Sequence, residues 1–171
     1  MARRPGASYA PQTGVARLPT ELQRQFIERI LAAQNRGDAT AWAALYAEDV
    51  TNHDRAAGRT GMQRILGALL QIFPDWHMEL LEILGDGDDV VAVTTMTGTH
   101  LGSSSVPVLG GALVDVAPTG KKVSVPHIHR YRLRDGLVQD HHAVRDDLGM
   151  MQQLGLVTGV ASADDISRRP R

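Results

Sequence analysis

The chain has 171 residues, of which 43% are hydrophobic, and its 18 basic and 19 acidic residues give a formal net charge of −1. This length and composition predict one compact domain with a sizeable core, and the balanced charge gives no support for a nucleic-acid partner. The chain has no cysteine, which excludes disulfides, cysteine-ligated zinc and thiol nucleophiles.

Neither a membrane segment nor a secretion signal is expected from the sequence. The twin arginines Arg3 and Arg4 are followed by no apolar stretch, and no run of apolar residues approaches transmembrane length. We therefore expect a cytoplasmic protein with a single domain over residues 18–157. The flanking segments, 1–17 and 158–171, are predicted to be a disordered N-terminal tail and a polar C-terminal tail.

Helical patterns come first along the chain. A capping box at Thr20 opens a first helix, which ends before Gly37. Asp38 can cap a second helix, predicted to carry Trp42 and Tyr46. Each helix should bury one apolar face.

The third predicted helix is followed by a change of pattern. A second capping box at Thr60 opens this helix, which must end at Pro74. Strand patterns then cover residues 76–84 and 90–100, the second of which is rich in Val and Thr. Residues 101–120 are rich in Gly, Ser, Val and Pro, and we interpret them as a long mobile loop or flap that acts as a lid.

The segment VPHIHRYRLRDGLVQDHHAVRDD, residues 125–147, holds four of the seven histidines. Because side chains alternate along a strand, His127 and His129 face the same side among apolar neighbours. Asp135 and Gly136 are a strong signal for a hairpin turn. Two inward imidazoles would each need a buried partner, so this pair is more typical of a pocket than of a core.

Helices followed by strands predict an α+β domain, with helices packed on one face of an antiparallel sheet. Several segments are similar to the SnoaL-like polyketide cyclases of the nuclear-transport-factor-2-like superfamily. These segments are Phe73-Pro74-Asp75-Trp76, Gly98-Thr99-His100, Pro118-Thr119-Gly120-Lys121, HRYRLRDGLV at 129–138 and DDLGMMQQLG at 146–155.

The resemblance implies a conical barrel, formed by a curved antiparallel sheet with three N-terminal helices packed on its concave face. It implies a cyclase or isomerase that uses general acid–base catalysis, without a cofactor or a metal, on a small apolar ketone, ester or epoxide. It also implies a homodimer formed through the outer face of the sheet.

The resemblance assigns one pocket residue and removes another. His129 stands where ester-cyclase members have a pocket histidine. Their catalytic aspartate corresponds to Ala143, which cannot carry a proton. If Ala143 points inward, so does His141, whereas His142 faces the outside or a subunit interface.

Histidine is the side chain best suited to replace that aspartate, because its pKa starts closest to neutral pH. We therefore predict His129 as the main catalytic residue, with His127 and His141 as partners. Asp54 and Asp146 are candidate carboxylates, although a loop role for Asp54 and a helix cap for Asp146 are the competing interpretations.

Further side chains are candidates for substrate binding, because they are expected near the pocket mouth, in the core or on the hairpin. These are Tyr46, His53, Trp42, Trp76 and Tyr131.

Three other functions are weighed against this hypothesis. A metal enzyme could use His127, His129 and His141, but no glutamate follows the second histidine as in cupins. An epoxide hydrolase would need two inward carboxylates beside Arg130 or Arg145. A non-catalytic binding protein would be expected to have a more uniformly apolar pocket, which the density of histidines argues against.

Overall fold

The computed structural model describes residues 18–157, so the predicted tails, 1–17 and 158–171, lie outside the described residues. None of the helices within this described range has both the length and the apolar character needed to span a membrane. The elements follow in the order α1 (Glu21–Asn35), α2 (Ala39–Ala43), β1 (Tyr46–Asn52), β2 (Arg55–Ala56), α3 (Gly58–Ile72), β3 (His77–Asp86), β4 (Asp89–Thr99), a 3₁₀ turn (Leu109–Gly111), β5 (Lys122–Arg134), β6 (Leu137–Arg145) and α4 (Asp147–Leu154).

The six strands form one curved sheet in the order β2-β1-β6-β5-β4-β3. Neighbouring strands are antiparallel except β1 and β6, which run parallel. The predicted α+β architecture is confirmed, with two corrections: the sheet is mixed, and it stays open instead of closing into a barrel.

The N-terminal helices form where their capping signals predict. Thr20 makes both hydrogen bonds of a capping box with Gln23, and Asp38 accepts from the backbone of Ala41. Helix α1 packs against β3, and α3 packs against β1. Ile30 and Leu66 are fully buried, and burial of each such side chain contributes about 1.5–3 kcal/mol.

Two details of the helix predictions were wrong. Tyr46 does not continue the second helix, which ends at Ala43, but begins strand β1. The third helix starts at Gly58, not at Thr60. Gly58 has a positive φ of 65°, which glycine adopts without strain. The N-cap is Ala57, three residues before the cap predicted at Thr60.

The predicted hairpin is β5 and β6. Asp135 and Gly136 both have positive φ, 53° and 72°, as a two-residue turn of type I′ requires. Along β5, alternate residues are buried from Val123 to Tyr131. The inward row predicted from the sequence is therefore confirmed.

The segment 101–120 folds back over the helix side of the sheet. Backbone hydrogen bonds join His100 to Gly120 and Lys121 and close its base. Leu109 and Leu113 are buried. The mobility and lid function predicted for this segment stay predictions.

Candidate functional site

A cavity of about 380 Å³ lies between the concave face of the sheet and the helices. Its lining comes from the helices, the β1–β2 turn, the loop that precedes β5 and the β5–β6 hairpin. The lining residues are Gln34, Trp42, Asn52, His53, Arg55, Met62, Ile65, Leu69, Trp76, Pro107, Val108, Leu109, Gly110, His127, His129, His141, Ala143 and Arg145.

Three buried histidines form one side of this cavity. His127 and His129 lie two residues apart on β5, with ring centroids 5.5 Å apart. His141 comes from β6, and its ring stacks on that of His129 at 5.3 Å. All three are less than 9% exposed. The predicted grouping of His127, His129 and His141 is therefore present.

A chain of hydrogen bonds fixes the protonation of two of these rings. His141 Nδ1 lies 2.9 Å from Asn52 Oδ1, and a carbonyl oxygen only accepts, so this nitrogen donates. In neutral His141, Nε2 is then the acceptor for His129 Nδ1, which lies 3.0 Å away. His129 Nε2 is left with a free lone pair, and this buried atom has no hydrogen-bond partner in residues 18–157.

The environment keeps the three rings neutral. Burial, followed by the charge of Arg145, lowers the pKa of His129 to about 4. Burial and the neighbouring His129 lower the pKa of His127 to about 3. Burial likewise holds the pKa of His141 well below its usual range. At neutral pH each of these side chains is a neutral imidazole, with one N–H and one lone pair that can accept a proton.

His127 differs from the other two histidines because neither of its ring nitrogens has a partner among the described residues. Its ring meets the edge of Trp76 at 6.1 Å. A neutral imidazole offers one N–H donor and one acceptor. His127, which lines the cavity, therefore has one donor and one acceptor that no described residue uses.

The aromatic candidates fall into two groups. Trp42 and Trp76 line the cavity, as expected for substrate contacts. Tyr46 and Tyr131 are fully buried and do not line it. The ring of Tyr131 stacks on the rings of His141 and His129, with centroid distances of 4.9 and 5.8 Å. It therefore packs against the histidines and holds their rings in place.

The candidate carboxylates do not line the cavity. Asp54 is exposed and contacts His142 on the outer side of the hairpin. Asp146 caps α4 by accepting from the backbone of Gly149. The expectation that one of them supplies a pocket carboxylate is therefore corrected: both are drawn away by turn and capping geometry. Ala143 does line the cavity, directly opposite His129.

The β1–β2 turn brings Asn52 and His53 to the cavity, as expected for a segment near its mouth. His53 has a positive φ of 52°. Burial and then the charge of Arg145 lower its pKa. The role of Asn52 as partner of His141 was not predicted, because it depends on parallel pairing between β1 and β6.

Arg145 is a second cavity residue whose place was not predicted. It pairs with His127 across the hairpin and so projects to the same face. Asp147 holds it through Nε and Nη2, at 3.1 and 3.3 Å. The two-residue spacing from Ala143 was the available signal, since both must share a face.

The geometry does not favour metal ligation by the three cavity histidines, because His129 Nδ1 and His141 Nε2 form a hydrogen bond with each other. Within residues 18–157, the donor atoms that converge belong to Asp54, Asp140 and His142. That group lies on the outer face, where Arg130 also contacts Asp140.

Residues 22–154 match the family model described as SnoaL-like polyketide cyclase. Aklanonic acid methyl ester cyclase DnrD of Streptomyces peucetius is 34% identical over 79 residues. That match covers 46% of this chain and 48% of the relative, so it spans about half the length of the curated protein.

Solved structures share the fold over most of the chain. TsrD from Streptomyces laurentii is 26% identical with a TM-score of 0.70, and the match covers 82% of this chain and all of that chain. AclR, a candidate hydroxylase from Streptomyces galilaeus, is 26% identical at a TM-score of 0.65, over 78% and 96% of the two chains. IdmH, a candidate polyketide cyclase from Streptomyces antibioticus, is 25% identical at 0.63, over 80% and 99%.

Proposed function

Because the chain belongs to the SnoaL-like polyketide cyclase family, we propose that it closes a ring in a small, largely apolar polyketide-type ketone or ester. The reaction proceeds by general acid–base catalysis and needs no cofactor. One observation carries this proposal: the hydrogen-bond chain Asn52–His141–His129 leaves a free lone pair on the buried Nε2 of His129, a residue that lines the cavity.

His129 is the base in this proposal. Its Nε2 removes a proton from the carbon next to a substrate carbonyl, and the resulting enolate carbon attacks a second carbonyl carbon to form the ring bond. The alkoxide then takes the proton back from His129. Atoms balance, and the product is an isomer of the substrate.

The hydrogen-bond chain supports the charge that His129 gains. When Nε2 takes the proton, Nδ1–H still donates to His141, whose own Nδ1–H donates to Asn52. The positive charge on buried His129 is thus stabilised by the oriented dipoles of its hydrogen-bond partners. In this proposal, these three side chains take the role of the aspartate whose position is occupied here by Ala143.

His127 suits the second function of the reaction, which is to hold the oxygen on which charge develops. Its ring lies next to that of His129, and neither nitrogen has a protein partner. An N–H donor placed at a developing alkoxide is a common means of stabilising such a transition state. The apolar walls and the 107–110 segment strengthen this effect by excluding water.

Two of the alternatives find less support. The epoxide-hydrolase arrangement needs carboxylates beside an arginine, and the lining of this cavity has arginines but no Asp or Glu. The metal alternative would require His129 and His141 to give up the hydrogen bond between them. A non-catalytic binding protein is an outcome of the experiment below.

The proposal is tested by proton exchange, which does not require the natural substrate. β-Tetralone is an apolar cyclic ketone, and exchange of its α-protons in D₂O is followed by NMR. The wild-type protein is expected to accelerate this exchange, and His129→Ala should lower the acceleration by roughly 10²- to 10⁴-fold, the usual contribution of a general base.

His142→Ala is the matched control, because His142 is adjacent to His141 but lies on the outer face with Asp54 and Asp140. It should exchange at the wild-type rate. Equal rates in wild type and His129→Ala would refute the assignment of the base. A wild-type protein that binds the ketone without accelerating exchange would indicate the non-catalytic alternative.

A further inference from the structure

The charge of the cavity is unbalanced in a way that ring closure alone does not explain. Arg145 and Arg55 both belong to its lining, and no Asp or Glu does. Arg145 is paired with Asp147, which does not line the cavity, and Arg55 is exposed. The wall of the cavity therefore presents positive charge to a ligand, which favours a ligand that brings negative charge.

Arg145 is built to be rigid and to keep donors available. Asp147, the first residue of α4, accepts from Nε and Nη2 and fixes the plane of the guanidinium. A guanidinium has five N–H donors, and Nη1 has no protein acceptor among residues 18–157. The side chain is only 16% exposed and lines the cavity, so a ligand in the cavity is close to its remaining donors.

The same guanidinium lies close to the proposed base. Its charge contributes to the lowered pKa of His127, His129 and His141. Ala143 stands between Arg145 and His141 on the inward side of β6, and its small side chain leaves room beside Arg145. An anionic group of the ligand fits that space.

We propose that the substrate is a free carboxylic acid on an apolar skeleton, and that Arg145 binds its carboxylate. The planar fork of arginine matches a carboxylate through paired hydrogen bonds. Arg55, on the exposed strand β2, adds positive charge at the mouth and has no ion pair within the described residues. This inference deepens the proposed function and uses the same cavity.

Binding of cinnamic acid and of its methyl ester tests the inference. The two compounds share a planar apolar skeleton and differ in charge. The chain has two tryptophans, and both line the cavity, so quenching of intrinsic fluorescence reports its occupancy. The wild-type protein should bind the acid more tightly than the ester by roughly 10- to 100-fold, as expected for a charge-assisted contact.

Substitution of Arg145 should remove this preference. Arg145→Gln should bind acid and ester equally, whereas Arg145→Lys keeps the charge and should retain part of the difference. Arg132→Gln is the matched control, since Arg132 is also ion-paired, but with Asp89 on the outer face. Thermal melts of each variant show whether the fold is kept.

Equal affinity of acid and ester in the wild type, failure of both to bind, or an undiminished preference in Arg145→Gln would overturn the inference. His129→Ala should keep the preference for the acid, because His129 acts on the proton and not on the carboxylate. Loss of exchange activity with retained acid preference, or the reverse, therefore separates the two proposals.

Discussion

On the outer face of the β5–β6 hairpin, Arg130, Arg132, Asp89 and Asp140 neutralise one another in contact with water. On the concave face of the same strands, the histidines lie with Arg145 among apolar and aromatic side chains, and no acid belongs to the lining of the cavity. His141 and His142 are adjacent in sequence, yet one is buried against His129 and the other contacts Asp54 and Asp140. The surroundings, more than the residue type, decide whether a histidine can act as a buried base.

The largest change in the pH dependence of proton exchange is expected when an acid is introduced on the concave face, where the outer face already has several. Asn52→Asp places a carboxylate next to His141 Nδ1, where Asn52 Oδ1 now lies at 2.9 Å. An adjacent opposite charge raises the pKa of a histidine by roughly 1–3 units. The acidic limb of the exchange rate against pH should move upward by a similar amount.

The direction of this pH dependence follows from the role of His129 as the base. His129 acts only when neutral, so in the wild type activity should fall as the pH drops through its pKa of about 4. Asn52→Leu, which removes the acceptor without adding charge, is the control and should lower the rate without raising the limb. An unchanged limb in Asn52→Asp would argue against coupling between these residues.

Stability should also depend on the buried histidines at acidic pH. In the unfolded chain a histidine titrates near pH 6.5, whereas in the folded protein His127 and His129 titrate at about 3 and about 4. Their neutral burial is fully tolerated above pH 6.5, and stability is lost as the pH falls through that value toward the folded pKa values.

The expected slope is about 1.4 kcal/mol per pH unit for each additional proton taken up on unfolding. Denaturant unfolding between neutral pH and pH 4 measures it. In the double variant His127→Phe, His129→Phe, the free energy of unfolding should depend less steeply on pH. His142→Phe is the control on the outer face, and it should leave the contribution of His127 and His129 to this slope unchanged. A slope that is equal in the double variant and the wild type would contradict the account.

A smaller effect is expected from His127 alone, in the direction of greater stability. Both of its ring nitrogens are buried without partners in residues 18–157, which costs free energy that an apolar ring would not. His127→Phe should raise the free energy of unfolding at neutral pH by about 1–2 kcal/mol and slow proton exchange. A loss of stability with unchanged exchange would show that His127 is structural.

The homodimer through the outer sheet face stays a prediction. Ile128 and Val144 pair across the hairpin on that face and are 49% and 71% exposed, as expected for a contact between copies. Ile128→Lys should therefore shift the sedimentation of a dimer toward the monomer, with little effect on exchange. A monomeric wild type would exclude this interface.

The hairpin was predictable because its information is local. Alternation along Val123 to Tyr131 and the Asp135-Gly136 turn predict the hairpin and the inward row of β5. The inward row of β6 depends in addition on a register shift between Arg132 and Leu133, which places His141 opposite Tyr131 and Ala143 opposite His129. With the turn alone, His129 would pair with His142, so the sequence did not determine which of the two neighbouring histidines faces the cavity.

The partner of His141 did not follow from the sequence either. Asn52 reaches it through a parallel strand pair that joins residues about 90 positions apart, and such pairing leaves no local pattern.

The errors have equally specific causes. The spacing of Trp42 and Tyr46 fits one turn of a helix, but pairing of Tyr46 with Val138 in the sheet outweighs that preference. The carboxylate of Asp146 accepts a hydrogen bond from the N-terminus of α4 and is therefore held away from the cavity. For a carboxylate in a loop, side-chain direction depends on turn geometry, which the sequence does not specify to within a residue.

The protonation pattern of His129 tests the central claim most directly. Long-range ¹H–¹⁵N NMR of the histidine side chains distinguishes the two neutral tautomers. At neutral pH, His129 and His141 should both carry the proton on Nδ1, and in Asn52→Leu this preference should weaken. A proton on Nε2 of His129 in the wild-type protein would contradict the account, because the atom proposed as the base would then have no lone pair to use.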